Sequence, residues 1–174
     1  MSEPIFSIGH SNHDFDDFAS LLHGAGVTAV ADVRTQPWSR YRPAFRRDAL
    51  KTSLEAAGLA YVWLGDSLGG RPRDPALLSN GRPDHAKIAS SPSFRAGLDR
   101  LIAGSAKHRI AMMCAEQHPL NCHRCRLLGR NLLRRDVDTR HILPDGGQLL
   151  QSVLEDALQA SLSPAQHDLF GGEH

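Results

Sequence analysis

A chain of 174 residues is long enough for one sizeable core and short for two. Its 41% hydrophobic and 22% charged content is that of an ordinary soluble globular protein, and a net charge of +1 gives no overall field demanding a polyanionic partner. No apolar run approaches the roughly 20 residues of a bilayer-spanning helix, and Met1 to Phe6 lacks the pattern of a secretory signal, so a cytoplasmic protein with no membrane partner is expected.

Apolar runs alternate with amphipathic stretches, the pattern of a parallel sheet covered by helices. Pro4 to Ile8 reads as a first strand ending at Gly9. Phe15, Phe18, Leu21 and Leu22 follow at helical spacing, with Asn12 or Asp14 as cap and Gly24 or Gly26 as stop. Val27 to Val33 is nearly all apolar, as a strand buried on both faces must be. An arginine-rich connection, Arg34 to Arg47, leads to a helix from Arg46 to Ala57. Leu59 to Leu64 reads as a third strand and Gly65 to Gly81 as a long polar loop. Ser93 to Ala103 reads as helix, Arg109 to Cys114 as a fourth strand, and Asn121 to Arg134 as helix. Thr139 to Leu143 makes a fifth strand, and Leu149 to Leu158 a last helix. The expected architecture is a Rossmann-like three-layer α/β domain over residues 1–160, with a mostly parallel sheet of about five strands. Residues 161–174 are expected to form a flexible tail.

Polar clusters follow the strands. In an open parallel sheet the carboxyl ends of the strands share one edge, where ligands bind. Gly9-His10-Ser11-Asn12 follows the first strand and can hold a phosphate, ribose or base, or Ser11 and Asn12 can simply cap the next helix. Asp32 and Arg34 close the second strand on one face, as a substrate site or as a structural ion pair. Trp38, Arg40, Tyr41, Arg42, Phe45, Arg46 and Arg47 interleave aromatics with cations, which suits stacking on bases beside phosphates and equally a solvated loop. Of the 20 basic residues, Lys51, Lys87 and Lys107 are the lysines. Arginine is the better fork for phosphate and base edges, although a GC-rich genome produces the same bias.

The densest reactive group is Cys114-Ala115-Glu116 with Cys122-His123-Arg124-Cys125. Three cysteines within twelve positions do not make a disulfide framework and suit a reducing compartment. Glu116 and Asp32 could act as paired carboxylates. Cys114 could be a thiolate with His123 as its base. Cys122 and Cys125 have metal-ligand spacing, but with one such pair no metal or other cofactor is expected. At the C-terminus, Gln166-His167-Asp168-Leu169-Phe170 resembles the bacterial sliding-clamp-binding peptide, with Gln166, Asp168, Leu169 and Phe170 in the matching positions. Alternatively, Leu169 and Phe170 pack back on the domain.

Together, Ile8-Gly9-His10-Ser11-Asn12, Asp32-Val33-Arg34 with Pro37 and Ser39, Tyr61 with Leu68-Gly69-Gly70, Cys114-Ala115-Glu116, Cys122-His123-Arg124 and His141-Ile142 resemble the bacterial and archaeal family called domain of unknown function 488. The resemblance implies a Rossmann-like fold and a shared site, and its name supplies no reaction. Cys125 lies outside the family pattern, which weakens the metal reading.

The leading expectation is an enzyme acting on DNA or nucleotides, through N-glycosidic or other base-processing chemistry in DNA repair or modification. It would be a hydrolase recruited to the clamp by its tail. Asp32 and Glu116 would carry the reaction, His10, Ser11, Asn12 and Tyr41 would hold base or sugar, and Arg34, Arg40 and Arg124 the phosphate. A cysteine-dependent enzyme or redox sensor using Cys114 or Cys122 is the alternative, and a non-catalytic nucleotide- or DNA-binding adaptor is the third.

Overall fold

A computed structural model describes residues 3–162; the 166–170 peptide and its partner expectation lie outside them. In chain order the elements are β1 (Ile5–Gly9), α1 (Phe15–Gly24), β2 (Ala29–Asp32), α2 (Arg47–Ala56), β3 (Ala60–Trp63) and the short α3 (Gly65–Leu68). Next come a two-stranded ribbon, β4 (Leu78–Ser79) with β5 (Arg82–Pro83), then α4 (His85–Ser90), α5 (Pro92–Ser105) and β6 (Ile110–Cys114). A π-helical stretch, Arg124–Gly129, runs directly into α6 (Arg130–Leu133). β7 (Thr139–Ile142), β8 (Gln148–Leu150) and α7 (Gln151–Leu162) complete the order.

The main sheet has the order β3-β2-β6-β1-β7-β8, with every pairing parallel except that of β7 with β8. This is the expected Rossmann-like α/β fold with one additional antiparallel edge strand. Gln148 to Leu150 carries too short a pattern to separate from the helix that follows it. The expected loop at 65–81 contains α3 and β4. Asp14, whose side chain accepts the Asp17 N–H at 2.8 Å, is the α1 cap.

Strand alternation divides the core into two layers. Ile5, Ala29, Ala31, Ile110, Met112 and Cys114 face one way, onto Phe94, Leu98 and Leu101 of α5 and onto Leu127, Leu128 and Leu132. Phe6, Ile8, Val30, Ala111 and Met113 face the other way, onto Phe18 and Leu22 of α1 and Leu50 and Leu54 of α2. The chain therefore leaves β1 and β6, adjacent strands, toward opposite faces. Such divergence opens a crevice at the carboxyl edge of a parallel sheet.

Past the strand ends, the loops after β1 and β6 stay paired: His10 N–H donates to Cys114 O at 2.9 Å, and Ser11 N–H to Ala115 O at 3.0 Å. The post-β6 loop crosses so close over Gly9 that a Cβ there would lie 1.6 Å from the Glu116 carbonyl oxygen. Only a residue without a side chain fits under that crossing. Gly9→Ala is therefore expected to destabilise the fold by at least about 3 kcal/mol. Gly24→Ala, at a helix end with nothing within 4 Å of the added methyl, is expected to be neutral or slightly stabilising. Urea unfolding of both variants checks the contrast, and equal midpoints would contradict it.

Candidate functional site

A cleft of about 890 Å³ opens at the carboxyl edge of the sheet. Its floor is Cys114, at the end of β6, and Cys122, just before the helix that includes the π-helical stretch; Glu116 and His123 stand beside them. Its walls carry Arg34, Arg71, Arg73, Arg82 and Arg126, with His85 opposite and Trp38 at the lip. Arg71, Arg73, Arg82 and Arg126, none of them in an ion pair among the described residues, make the cleft attractive to anions beside one carboxylate, Glu116, although the whole chain is nearly neutral.

The two sulfurs touch: Cys114 Sγ and Cys122 Sγ are 2.6 Å apart, and all three cysteines are free. Arg124 Nε–H donates to Cys114 Sγ at 2.9 Å, and the Arg124 backbone N–H to Cys122 Sγ at 3.5 Å. His123 Nδ1 lies 3.4 Å from Cys122 Sγ while its Nε2 lies 3.1 Å from the Val33 carbonyl. A carbonyl can only accept, so Nε2 carries the proton and Nδ1 faces the sulfur, either to take its proton or to pair with the thiolate. Gly70 packs against the root of the ring, where a Cβ would come 2.8 Å from His123 Cγ. Hydrogen bonding from Cys114, and then His123 and Arg124, overcomes burial and pulls the Cys122 thiol down to about 3. Burial, followed by the hydrogen bond with Cys122, pushes the Cys114 thiol up. Of the two sulfurs, Cys122 is thus the more acidic.

Arg124 is fully buried and bridges the site from beneath. Besides Cys114 it donates to Ser7 Oγ at 2.9 Å and to the Glu116 carbonyl at 3.0 Å. It does not line the cleft and so is not placed for the phosphate contact expected of it. Ser7 Oγ, already accepting from Arg124, is left to donate to His141 Nδ1. His141 Nε2–H then donates to Gln151 Oε1 at 2.8 Å, and burial holds this histidine down at about 4. The Gln151 amide also donates to the Cys125 carbonyl at 3.2 Å, the carbonyl that the Arg130 N–H reaches across five residues. π turns of this kind occur often at functional sites.

Asp32 and Arg34 form a buried bidentate pair, Nε to Oδ1 at 2.9 Å and the second guanidinium nitrogen to Oδ2 at 2.7 Å. The Arg34 backbone N–H and the Tyr61 hydroxyl, at 3.2 and 2.6 Å, occupy the remaining acceptor positions. Burial and the Asp32 hydrogen bond push the Tyr61 phenol upward. Asp32 does not line the cleft, whereas Glu116 is exposed within it; the two carboxylates expected to act together thus have different surroundings. His10 lies beneath the rim, stacked on Phe45 at 4.6 Å, its Nδ1 3.1 Å from the Ser11 carbonyl. Burial and then Arg34 hold it down at about 4. Ser11 adopts a positive φ of 45°, with its hydroxyl 3.4 Å from Asn12 Oδ1. Arg40 and Tyr41 are exposed, outside the cleft lining, with Arg40 stacked on the Tyr41 ring.

Cys125 is buried outside the cleft lining, and no group of three or more His, Cys, Asp or Glu among the described residues could hold a metal ion. Sequence reasoning placed the Gly65 to Arg71 cluster on this edge but assigned no site role to Arg73, Arg82, His85 or Arg126. The available signal was the arginine density of the 65–83 connection, which reads as a solvated loop until the fold turns it onto the β6 edge.

The family model described as "Domain of unknown function DUF488" matches residues 14–130. No curated protein and no solved structure matches the chain.

The low-lying Cys122 thiol generates a pH prediction. Its sign follows from a pKa held below that of a free thiol: the thiolate persists as pH falls. Iodoacetamide modification of Cys122 should stay nearly flat from about pH 8 to about pH 5, whereas an ordinary thiol slows about tenfold per unit below about 8.5. Cys114→Ala should raise the onset most and His123→Ala less, following the order of their contributions. Peptide mapping after timed alkylation reads this out; an ordinary profile at Cys122 would remove the assignment.

Proposed function

The chain belongs to the DUF488 family, and from its cleft we propose a cysteine-dependent enzyme acting on a phosphate-bearing nucleotide or nucleic-acid substrate, with Cys122 as nucleophile. The observation that carries the reading is the combination at one floor: a thiol pulled down to about 3, a histidine 3.4 Å from its sulfur, and five arginines on the surrounding walls.

In this reading the wall arginines bind the phosphate groups, which tolerate exchange of position better than a bidentate lock would. Arg34 is the exception. Its fork is committed to Asp32, which fixes its place at the rim. Trp38 is 59% exposed, with Arg46 stacked at 4.8 Å from its ring centroid, and offers a platform for a base. The Cys122 thiolate attacks the electrophilic atom held over the floor; as the sulfur adduct forms, the bond to the leaving group breaks and that group departs with the electron pair. His123, whose Nε2–H is engaged by Val33, keeps Nδ1 for the proton that moves between sulfur and substrate. Glu116, the exposed carboxylate at the same floor, can activate water to release the adduct.

The paired-carboxylate route to N-glycosidic cleavage has less support, because Arg34 and Tyr61 take up both oxygens of Asp32. Asp32 acts instead as a positioning residue for Arg34. Recruitment to DNA by the 166–170 peptide rests on its sequence alone and is a separable part of the proposal.

Occupancy of the cleft should shield Cys122. A nucleoside diphosphate or short oligonucleotide at ten times its Kd should slow iodoacetamide modification about tenfold. The Arg71→Ala/Arg126→Ala double variant should lose most of that protection while keeping its unprotected alkylation rate. Absence of protection by any phosphate-bearing compound would overturn the substrate class. On a substrate so identified, wild-type turnover by Cys122→Ser would overturn the nucleophile.

A further inference from the structure

Cys114 has no role in the reaction just described, yet it is the best-positioned group in the site to reach Cys122. Its sulfur lies 2.6 Å from that of Cys122, burial pushes its thiol up, and it is fixed at the end of β6 by the Arg124 Nε–H at 2.9 Å. Resting on the reading of Cys122 as the reactive thiolate, we propose that Cys114 and Cys122 form a catalytic dithiol that reduces peroxide-class oxidants through an intramolecular disulfide.

The electrons balance in two steps. The Cys122 thiolate attacks a peroxide oxygen, the O–O bond breaks, and the products are a Cys122 sulfenic acid and hydroxide. The Cys114 sulfur then attacks the sulfenic sulfur. The S–O bond breaks, the Cys114 proton leaves with the hydroxyl as water, and the disulfide forms. Two electrons pass from the pair to the peroxide, and an external dithiol returns them by exchange.

The surroundings favour a cycling pair over a permanent cross-link. Arg124 is fully buried, and no described residue salt-bridges it with a carboxylate. In the reduced state the thiolate balances its charge. Oxidation removes that negative charge and leaves a buried guanidinium uncompensated, which costs stability. A couple whose reduced form is stabilised in this way is readily reduced again. Cys125 does not line the cleft and does not compete for the sulfenic sulfur.

The test uses the full-length reduced protein treated with stoichiometric hydrogen peroxide without added thiol. The free-thiol count should fall from three to one, with a mass loss of two hydrogens and a cross-linked peptide joining Cys114 to Cys122. Dithiothreitol should restore all three thiols. Cys125→Ser should form the same cross-link, and Cys114→Ser should instead accumulate a sulfenic acid at Cys122 that dimedone traps. Sulfenic or sulfinic acid at Cys122 of the wild type with Cys114 still free would overturn the proposal, as would a disulfide through Cys125. If Cys122 is rapidly alkylated and protected by nucleotides yet forms no disulfide, this inference alone fails. If Cys122 resists alkylation, the nucleophile reading fails with it.

Discussion

Everything at the β6 edge depends on how one buried positive charge is accommodated. Removing a guanidinium from water costs several kcal/mol, and proteins usually meet that cost with a carboxylate in bidentate contact. Arg124 is met differently. Its donors are distributed to a thiol, a serine hydroxyl and the carbonyls of Glu116 and Gln117. The carbonyls satisfy hydrogen bonds without cancelling charge, and the low-lying Cys122 thiol, whose sulfur accepts the Arg124 backbone N–H, is placed to supply the negative charge. A thiolate there would serve the fold's electrostatic balance as well as the proposed reaction. Ser7 on β1, Cys114 on β6 and the loop over Gly9 are held in one arrangement by the same side chain.

Arg34 provides the comparison within the same protein. It too is buried at a strand end, but Asp32 neutralises it and Tyr61 closes the remaining acceptor site. That arrangement satisfies the carboxylate but leaves one Arg34 guanidinium nitrogen without a hydrogen-bond partner among the described residues, and its charge still reaches His10. Two buried arginines, one after β2 and one in the helix that follows β6, play different parts. One is fixed in place as a wall of the cleft, while the other lowers the energy of an anion on the floor. Their difference lies in the partner rather than in the arginine.

The alternation of apolar runs was enough to read five strands and the Rossmann-like class, because strands buried on both faces have little compositional freedom. Sheet order was not readable: nothing local in Ile110 to Cys114 says that it inserts between β1 and β2. The i,i+2 relation of Asp32 and Arg34 foretold their pairing. It could not say that Tyr61, from the neighbouring strand, would complete it. Arg124 was misleading for a physical reason. An arginine between two polar residues and a cysteine reads as exposed, since guanidinium groups are almost never fully buried unless paired. Its counter-charge is a thiolate, and a thiolate is not visible in a sequence. Arg71, Arg73 and Arg82 reach the cleft only through the path of a long connection, which has no periodicity to betray where it goes.

That connection is also tied to the reactive end of the site. Gly70 packs against the His123 ring, Gly69 against Thr35, and the Arg71 N–H donates to Thr35 Oγ1 at 3.1 Å. The segment that supplies wall arginines is thereby registered to the β2 edge and to the imidazole beside Cys122. His123 is in turn held by the Val33 carbonyl, one residue before Arg34. Position of charge and orientation of base are thus set by one set of contacts. A displacement of the loop that moved Arg71 by an ångström would also release the ring that aligns Nδ1 with the sulfur. The two glycines that make these contacts lie between α3 and Arg71, where a side chain on either would meet Thr35 or the His123 ring.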